Sequence, residues 1–313
     1  MFSLSDLNKR ESVLSLLKAL HLQDEKYLML ENSKKSKIKN LINRIADSLK
    51  PGHGKSIKGF VLDKYSRLMI KYKVKAIIRD DKDIFYEDNE FFCDDRIAVY
   101  TAIFGDYESI HEPRIIPDNI DYYIITDCDK INKDSRWRVL EVELPSGLNS
   151  AQKNRYVKMH PHILFPNYRY SIYVDGSVQV LSDLTPLIHR IGKYGFAMHM
   201  HSSRDDLYDE LIAAKYTKRI TKENYKKYTK FFQEKKVPRH YGLLECGVIA
   251  RNHESNTCLS MMEQWWENYL GGINRDQICL AYVLYENNIA VKEIGTLGTN
   301  MYKSCLFRVL MHK

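Results

Sequence analysis

The segment Tyr170–Ser177, reading YSIYVDGS, holds the residue types that most directly suggest chemistry. An apolar and aromatic run ends in Asp175, and Gly176 follows at once. A carboxylate at the end of a buried strand, followed by a glycine turn, projects an oxygen into the cleft beyond the strand. Such an oxygen suits a hard cation, Mg²⁺ or Mn²⁺, which keeps several waters and takes few protein groups when it bridges a diphosphate. The same acid could instead cap a turn. Four further segments carry candidate groups. In YTAIFGDY at 100–107, small Ala102 and Gly105 let a ligand approach the backbone, and Tyr107 offers a ring that can stack on a base. In AQKNRYVKMHPH at 151–162, Arg155 and Lys158 stand three apart and share a helix face, a pairing that suits a phosphate. In FAMHMHSSRDDLYDE at 196–210, His199 and His201 alternate on one strand face ahead of Arg204, and an imidazole there could ligate a cation or contact a phosphate. Finally GLLECGVIARNH at 242–253 precedes Arg275, Asp276 and Gln277, with Asp276 in the first turn of a predicted helix, where the dipole favours a carboxylate. Taken singly, each has a plainer structural reading: a surface turn, a solvated basic helix or a core histidine.

Positioning these groups takes a sheet. From Arg96 onward, short apolar runs alternate with helical spacing. Predicted strands are Ile97–Phe104, Tyr122–Asp127, Trp137–Leu144, Tyr170–Val174, Gly195–His199 and Gly247–Ala250. Predicted helices are Ser150–Leu164, Asp183–Ile191, Asp205–Tyr216, Lys222–Lys235, Asn256–Tyr269 and Arg275–Glu286. Strands alternating with helices predict an open α/β sheet with mainly parallel strands, whose ligands bind beyond the carboxyl ends of those strands. Ahead of it, residues 4–30 and 38–49 show helical spacing, and the runs Lys58–Leu62 and Lys73–Ile78 are β-rich. This divides the chain into a basic accessory segment, 1–92, and an α/β domain, 93–313, which the resemblance given below makes the catalytic one.

The chain has 313 residues with 48 Lys/Arg against 40 Asp/Glu, and 44% hydrophobic residues, which excludes collagen-like, disulfide-scaffold and wholly disordered chains. Residues 1–80 hold 18 Lys/Arg and 8 Asp/Glu, a net of +10, leaving −2 for the remainder. That asymmetry points to an anionic partner, such as an acidic membrane surface, for residues 1–80, or to solvated helix faces. Six cysteines without C-x-x-C spacing suit reduced thiols in the cytosol, and neither a signal-peptide pattern nor a long apolar run occurs. The expected location is therefore cytoplasmic, peripheral on the inner face of the membrane if the basic segment docks there. The tail from Leu306 to Met311 is either an interfacial helix or a segment packed on the body. The G-K-S at 54–56 lacks the earlier glycine of a phosphate loop, no G-x-G-x-x-G, G-x-S-x-G or H-E-x-x-H occurs, and no nucleic-acid motif is present.

Taken together and in this order, the motifs YTAIFGDY, the I-I-T-D ending at Asp127, Arg155 and Lys158, YSIYVDGS, His201 and Arg204 with Glu210, GLLECGVIARNH and R-D-Q at 275–277 resemble a known family. It is the glycosyltransferase-like domain family of plant mucilage and pollen-tube proteins and bacterial surface-polysaccharide clusters, similar to nucleotide-sugar glycosyltransferases of the A-type fold. The resemblance covers roughly residues 96–290. It implies a Rossmann-like, mixed, mainly parallel sheet flanked by helices. It also implies transfer of a sugar from a nucleotide donor to a hydroxyl of a cell-surface polysaccharide or lipid-linked glycan, metal-assisted and with retention. It places Asp175 where such enzymes carry the first acid of a D-x-D metal motif. Here the third position is Ser177, so His201 or His253 is the expected second ligand of a Mn²⁺ or Mg²⁺ ion. Asp127, Cys128 and Asp129 form a literal D-x-D on an earlier strand. Thr101, Ala102, Phe104, Gly105, Tyr107, Asp127, Arg155, Lys158, Asp175, Gly176, Ser177 and Gly247 are the implied nucleotide-sugar contacts, and Asp276, Gln277 and Arg204 the implied catalytic set. The missing second acid leaves one alternative open, a catalytically silent glycan-binding or scaffold module of the same fold.

Overall fold

A computed structural model describes residues 66–74, 76–77, 88–105, 109–128 and 131–310. The basic helices expected at 4–30 and 38–49, most of the 1–80 segment, Tyr107 and Asp129 lie outside the described residues. The compact unit that holds the site runs from Ile70 to Lys313.

Its frame is a seven-stranded sheet. The strands are β1 (Ile97–Ile103), β2 (Ile120–Thr126), β3 (Arg138–Val139), β4 (Tyr170–Val174), β6 (Phe196–Met200), β7 (Leu244–Asn252) and β8 (Gly295–Thr296), in the order β3-β2-β1-β4-β7-β6-β8. β5 (Val178–Val180) pairs separately with β9 (Phe307–Val309). Neighbours run parallel except where β7 meets β4 and β6. β1 is buried along its whole length, as a strand covered on both faces must be, and its seven residues IAVYTAI are correspondingly apolar. Alternation then sorts its side chains. Ala98, Tyr100 and Ala102 join one core and Ile97, Val99 and Ile103 the other.

The first core is closed by the helices α1 (Ser150–Met159), α3 (Leu207–Tyr216), α4 (Lys222–Glu234), α5 (Asn256–Leu270) and α6 (Asp276–Glu286), with the single turn α2 (Pro161–Leu164) after α1. The second is closed by the β5–β9 pair, the 3₁₀ segment Thr185–Arg190 and Trp137. α1 starts at a capping box. Asn149 accepts from the Gln152 amide while the Gln152 side chain accepts from the Asn149 amide, each at 3.0 Å.

Several expectations change. The Trp137–Leu144 run pairs through only two residues, because Glu141 and Glu143 break its apolar pattern at the sheet's edge. Residues 66–73 are helical, so Lys73 closes a helix instead of opening a strand. The Asp183–Ile191 helix is a 3₁₀ segment with Pro186 in its first turn. The tail takes the second of its two readings, packed on the body, with Phe307–Val309 as a strand and Leu306 and Phe307 buried.

Gly195, just before β6, has φ +80°, and a Cβ there would collide with the Ser255 side chain that caps α5. Gly195→Ala is expected to lower stability by about 2 kcal/mol or more, from left-handed strain plus the clash, in urea unfolding followed by circular dichroism.

Candidate active site

Parallel β1, β2 and β4 end on one edge of the sheet. β7 runs the other way, so its first residues arrive on that same edge, and the Asp175 amide donates to the Gly247 carbonyl at 2.8 Å. A register break sharpens this. Met198 of β6 lies opposite Ile249, but His199 lies opposite Glu245, so β7 bulges between the two. Glu245, Cys246 and Gly247 are thereby set beside Asp175. Gly247 has little room: a Cβ there would stand 2.8 Å from the Met301 side chain and 3.6 Å from Asp175 Oδ2.

The centre of the edge is Lys158, in the last turn of α1 and 1% exposed. Its ammonium lies 3.0 Å from Asp276 Oδ2 and 3.3 Å from Asp175 Oδ1. Arg155 Nε meets Asp276 Oδ1 at 3.0 Å. Arg155 and Lys158 thus converge, as their spacing predicts, but on a protein carboxylate. Burial disfavours the charged form of Asp276, yet Arg155, Lys158 and Arg275 hold its carboxyl far below the usual range. Burial likewise opposes the Lys158 charge, and Asp175 and Asp276 overcome it, raising the ammonium's pKa. Asp276 is only 4% exposed and both oxygens are taken, so it fixes the two cations. The carbonyl of Lys158 is held by buried Arg251 Nη2 at 2.8 Å and by the Tyr100 hydroxyl at 3.1 Å.

Asp175 is the open member, 37% exposed. Its Oδ1 also accepts from the Tyr173 hydroxyl at 2.8 Å. Ser177 is buried, and its carbonyl accepts from the Leu310 amide, so the Gly176 turn is tied to the body. At the neighbouring strand ends, the Gly105 amide donates to Asp127 Oδ1 at 2.8 Å, with Gly105 at φ +72°. The Ala102 carbonyl accepts from Asn154, whose own carbonyl accepts from Arg155. Phe104 is buried, and Thr101 Oγ1 is buried without a partner.

A second cluster adjoins the first through the consecutive residues Arg275 and Asp276. Glu210 receives Arg204 Nε and Arg275 Nε, each at 2.8 Å. Although burial opposes it, these guanidinium groups lower the Glu210 pKa. His201 Nδ1 accepts from the Ser203 and Arg204 amides, and Nε2 lies 3.0 Å from the Arg204 guanidinium. Glu245 Oε1 accepts from Gln277 Nε2 at 2.9 Å, while Glu245 Oε2, 3.7 Å from His201 Nε2, and Gln277 Oε1 are buried without hydrogen bonds. Burial, with Glu210 beside it, pushes the Glu245 carboxyl up to about 7.

The expected metal set does not assemble. His253 donates to or accepts from Ser171 Oγ at 2.8 Å, at the opposite end of β4, roughly 13 Å along the strand from Asp175. His201 is occupied by the Arg204 segment. Among the described residues no three His, Cys, Asp or Glu side chains converge as a metal cage. What remains is Asp175, one open carboxylate, and that fits Mg²⁺ or Mn²⁺ shared with a substrate diphosphate, because such ions are held by one or two carboxylates plus phosphate. His199 is a core residue with both nitrogens unpartnered, and burial depresses its pKa to about 3. Glu245 and Arg251 complete the site beyond the residues singled out by sequence, while Glu210 and Arg275 belong to the motifs already named. Of these, Glu245 has a readable signal, a lone acid inside an apolar strand.

Buried acids and bases gathered at the ligand-binding edge of a mixed sheet mark this as an α/β protein of enzyme type. The chain belongs to the TOD1/MUCI70 glycosyltransferase-like domain family, which matches residues 72–313. It is similar to two proteins of Arabidopsis thaliana. It is 26% identical over 231 residues to alkaline ceramidase TOD1, covering 63% of this chain and 50% of that one. It is 25% identical over 240 residues to the probable hexosyltransferase MUCI70, covering 67% of this chain and 40% of that one. The chain thus spans half the length, or less, of these relatives. Among solved structures, mouse xyloside xylosyltransferase 1 is similar with 10% identity and a TM-score of 0.38, over 62% of this chain and 83% of that one. The glycosyltransferase GlyE of Streptococcus pneumoniae is similar with 11% identity and a TM-score of 0.36, over 65% of this chain and 45% of that one.

The two perturbed acids have opposite effects on stability. Asp276 has a depressed pKa, so its contribution is complete above its unfolded value and fades as pH falls. Glu245 has a raised pKa, so folding loses free energy as pH rises from the unfolded value of 4.5 through about 7. Glu245→Gln is expected to match the wild type near pH 4 and to exceed it by about 2 kcal/mol above pH 8 in urea titrations.

Proposed function

We propose that this chain is a nucleotide-sugar-dependent glycosyltransferase that moves a sugar to a hydroxyl of a cell-surface polysaccharide or lipid-linked glycan. The observation that carries the reading is Asp175, the open carboxylate of the charge network, standing on a strand end beside buried Lys158 and half-buried Arg155. Family membership supports the transferase class.

In this reading the diphosphate of the donor lies beyond β4, with the nucleoside toward Phe104, Gly105 and Asp127. Asp175 would hold a divalent cation arriving with the diphosphate, and that ion would supply charge neutralisation at the leaving group. Lys158 and Arg155 keep a fixed positive field on this side of the edge. Asp276 holds them in place, so little reorganisation accompanies bond breaking. Glu245 Oε2 and Gln277 Oε1, without hydrogen bonds, are two buried acceptors that sugar hydroxyls would satisfy. As the bond from the sugar carbon to the phosphate oxygen breaks and the new one to the acceptor oxygen forms, Glu245 takes the acceptor proton. Retention of configuration is the stereochemistry implied by the resemblance, and anomeric NMR of the product reads it. The basic segment 1–80 would keep the enzyme at an anionic inner membrane face, in the cytoplasm.

The test is nucleotide release from UDP-, GDP-, CMP- and dTDP-sugars, with and without Mn²⁺. Asp175→Ala is expected to lower release about 100-fold or more with the fold retained, and full activity in that variant would refute the reading. Wild-type kcat/KM is expected to rise with pH to a plateau past about 7, and Glu245→Gln to lose that limb. No release and no donor-dependent thermal shift would favour the silent glycan-binding module. Fatty acid released from ceramide by the same preparation would favour the activity named for the TOD1 relative.

A further inference from the structure

A second concave site lies beside the charge network and takes no part in the chemistry above. It is a cavity of about 510 Å³ lined by Lys215, Lys218, Arg219, Ile220, Thr221, Lys222, Asn224 and Asn274. Four of its eight lining residues are cations and none is an acid, so its potential is positive, offset in part by exposed Glu223 beside Lys222. The sequence 215–222, KYTKRITK, concentrates them in the connection between α3 and α4.

That connection is held in shape. The Arg219 amide donates to the Ala214 carbonyl at 2.8 Å, Lys218 takes φ +59°, and Ile220 is 6% exposed and anchors the turn in the core. Lys215 Nζ sits 4.5 Å from the centre of the Tyr225 ring. The cations are therefore presented by a fixed backbone, which lowers the ordering cost of binding. The start of α4 is already capped, with Thr221 Oγ1 accepting from the Asn224 amide, so the attraction for anions comes from the side chains.

The cavity also adjoins the reactive edge. Asn274 lines it and is followed directly by Arg275, bound to Glu210, and Asp276, bound to Lys158 and Arg155. Asn274 thus joins the cavity wall to the segment that carries Arg275 and Asp276.

We propose that this cavity binds an oxyanion, a carboxylate or phosphate carried by the acceptor glycan, so that the acceptor is an anionic saccharide. This rests on the glycosyl-transfer reading for the word acceptor, while the binding itself does not. It is tested by calorimetric titration of the full chain without donor. One pair of probes is a uronic-acid tetrasaccharide and its carboxyl-reduced neutral form. The other is terminally phosphorylated maltotetraose and maltotetraose. One charged probe is expected to bind about tenfold tighter than its neutral partner, losing that margin in high salt, and the preferred probe tells carboxylate from phosphate. Lys218→Gln with Lys222→Gln, both exposed, is expected to abolish the margin. Lys226→Gln, on the same helix but outside the cavity, is expected to keep it, and donor-induced thermal shift is expected to be unchanged in both variants. Equal binding of charged and neutral probes, or a margin kept by the double variant, overturns the proposal, as does preference for anionic vesicles over both charged saccharides. A margin that stands in a protein with no nucleotide release supports the site and sinks the transfer reading alone.

Discussion

A lysine ammonium with 1% exposure is the constraint around which this edge of the molecule is built. Taking such a charge out of water costs several kcal/mol unless opposite charge and hydrogen bonds compensate, and a buried pair adds little stability over apolar packing. Lys158 is compensated by Asp276 and Asp175, and each requirement propagates outward. Asp276 must reach inward from the first turn of α6, where the helix dipole assists it. Trp265 fixes its carbonyl from α5 at 3.0 Å. The end of α1 must not shift, and Arg251 and Tyr100 grip its carbonyl from two strands. An arrangement so unfavourable to build with charges is understood more readily as a preset field than as a device for stability.

The same edge depends on one reversal of direction. Had β7 run parallel to β4, its carboxyl end would bring Asn252 and His253 to Asp175, and Glu245 would lie at the far side. Running antiparallel, with the bulge opposite Met198 and His199, it brings Glu245 and Gly247 instead. The histidine expected as a metal ligand and the glutamate absent from that expectation are exchanged by this single topological fact.

That exchange explains what was legible. The strand ending in Asp175 and the helix opening at Asp276 can be read locally, since apolar runs and first-turn acids carry their own signal. The pairing of Arg155 with Lys158 follows from helical spacing, but their partner sits 118 and 121 residues away for Lys158 and Arg155, beyond any local pattern. Strand direction is invisible in an apolar run, so the side on which GLLECGVIARNH delivers its acid and its histidine could not be read. The short pairing of the 137–144 run is hidden for a related reason. Edge pairing depends on a partner strand, and helix and strand are hard to tell apart in short apolar runs.

The charge is arranged in steps along the edge. At Lys158 and Arg155, two cations are balanced by Asp276 and half-open Asp175. At Glu210, two guanidinium groups meet a single carboxylate. Between these clusters stands Glu245, whose ionisation is resisted by burial and by Glu210 more than it is aided by Arg275 and Arg204. Beyond them, at Lys215, Lys218, Arg219 and Lys222, no acid lines the wall at all. A proton acceptor is most useful where its own charge is marginal, because it can then take a proton near neutral pH without being locked in either state. In the transfer proposed above, a carboxylate held in that marginal state would take the proton of the reacting hydroxyl while the neighbouring ion pairs stay intact.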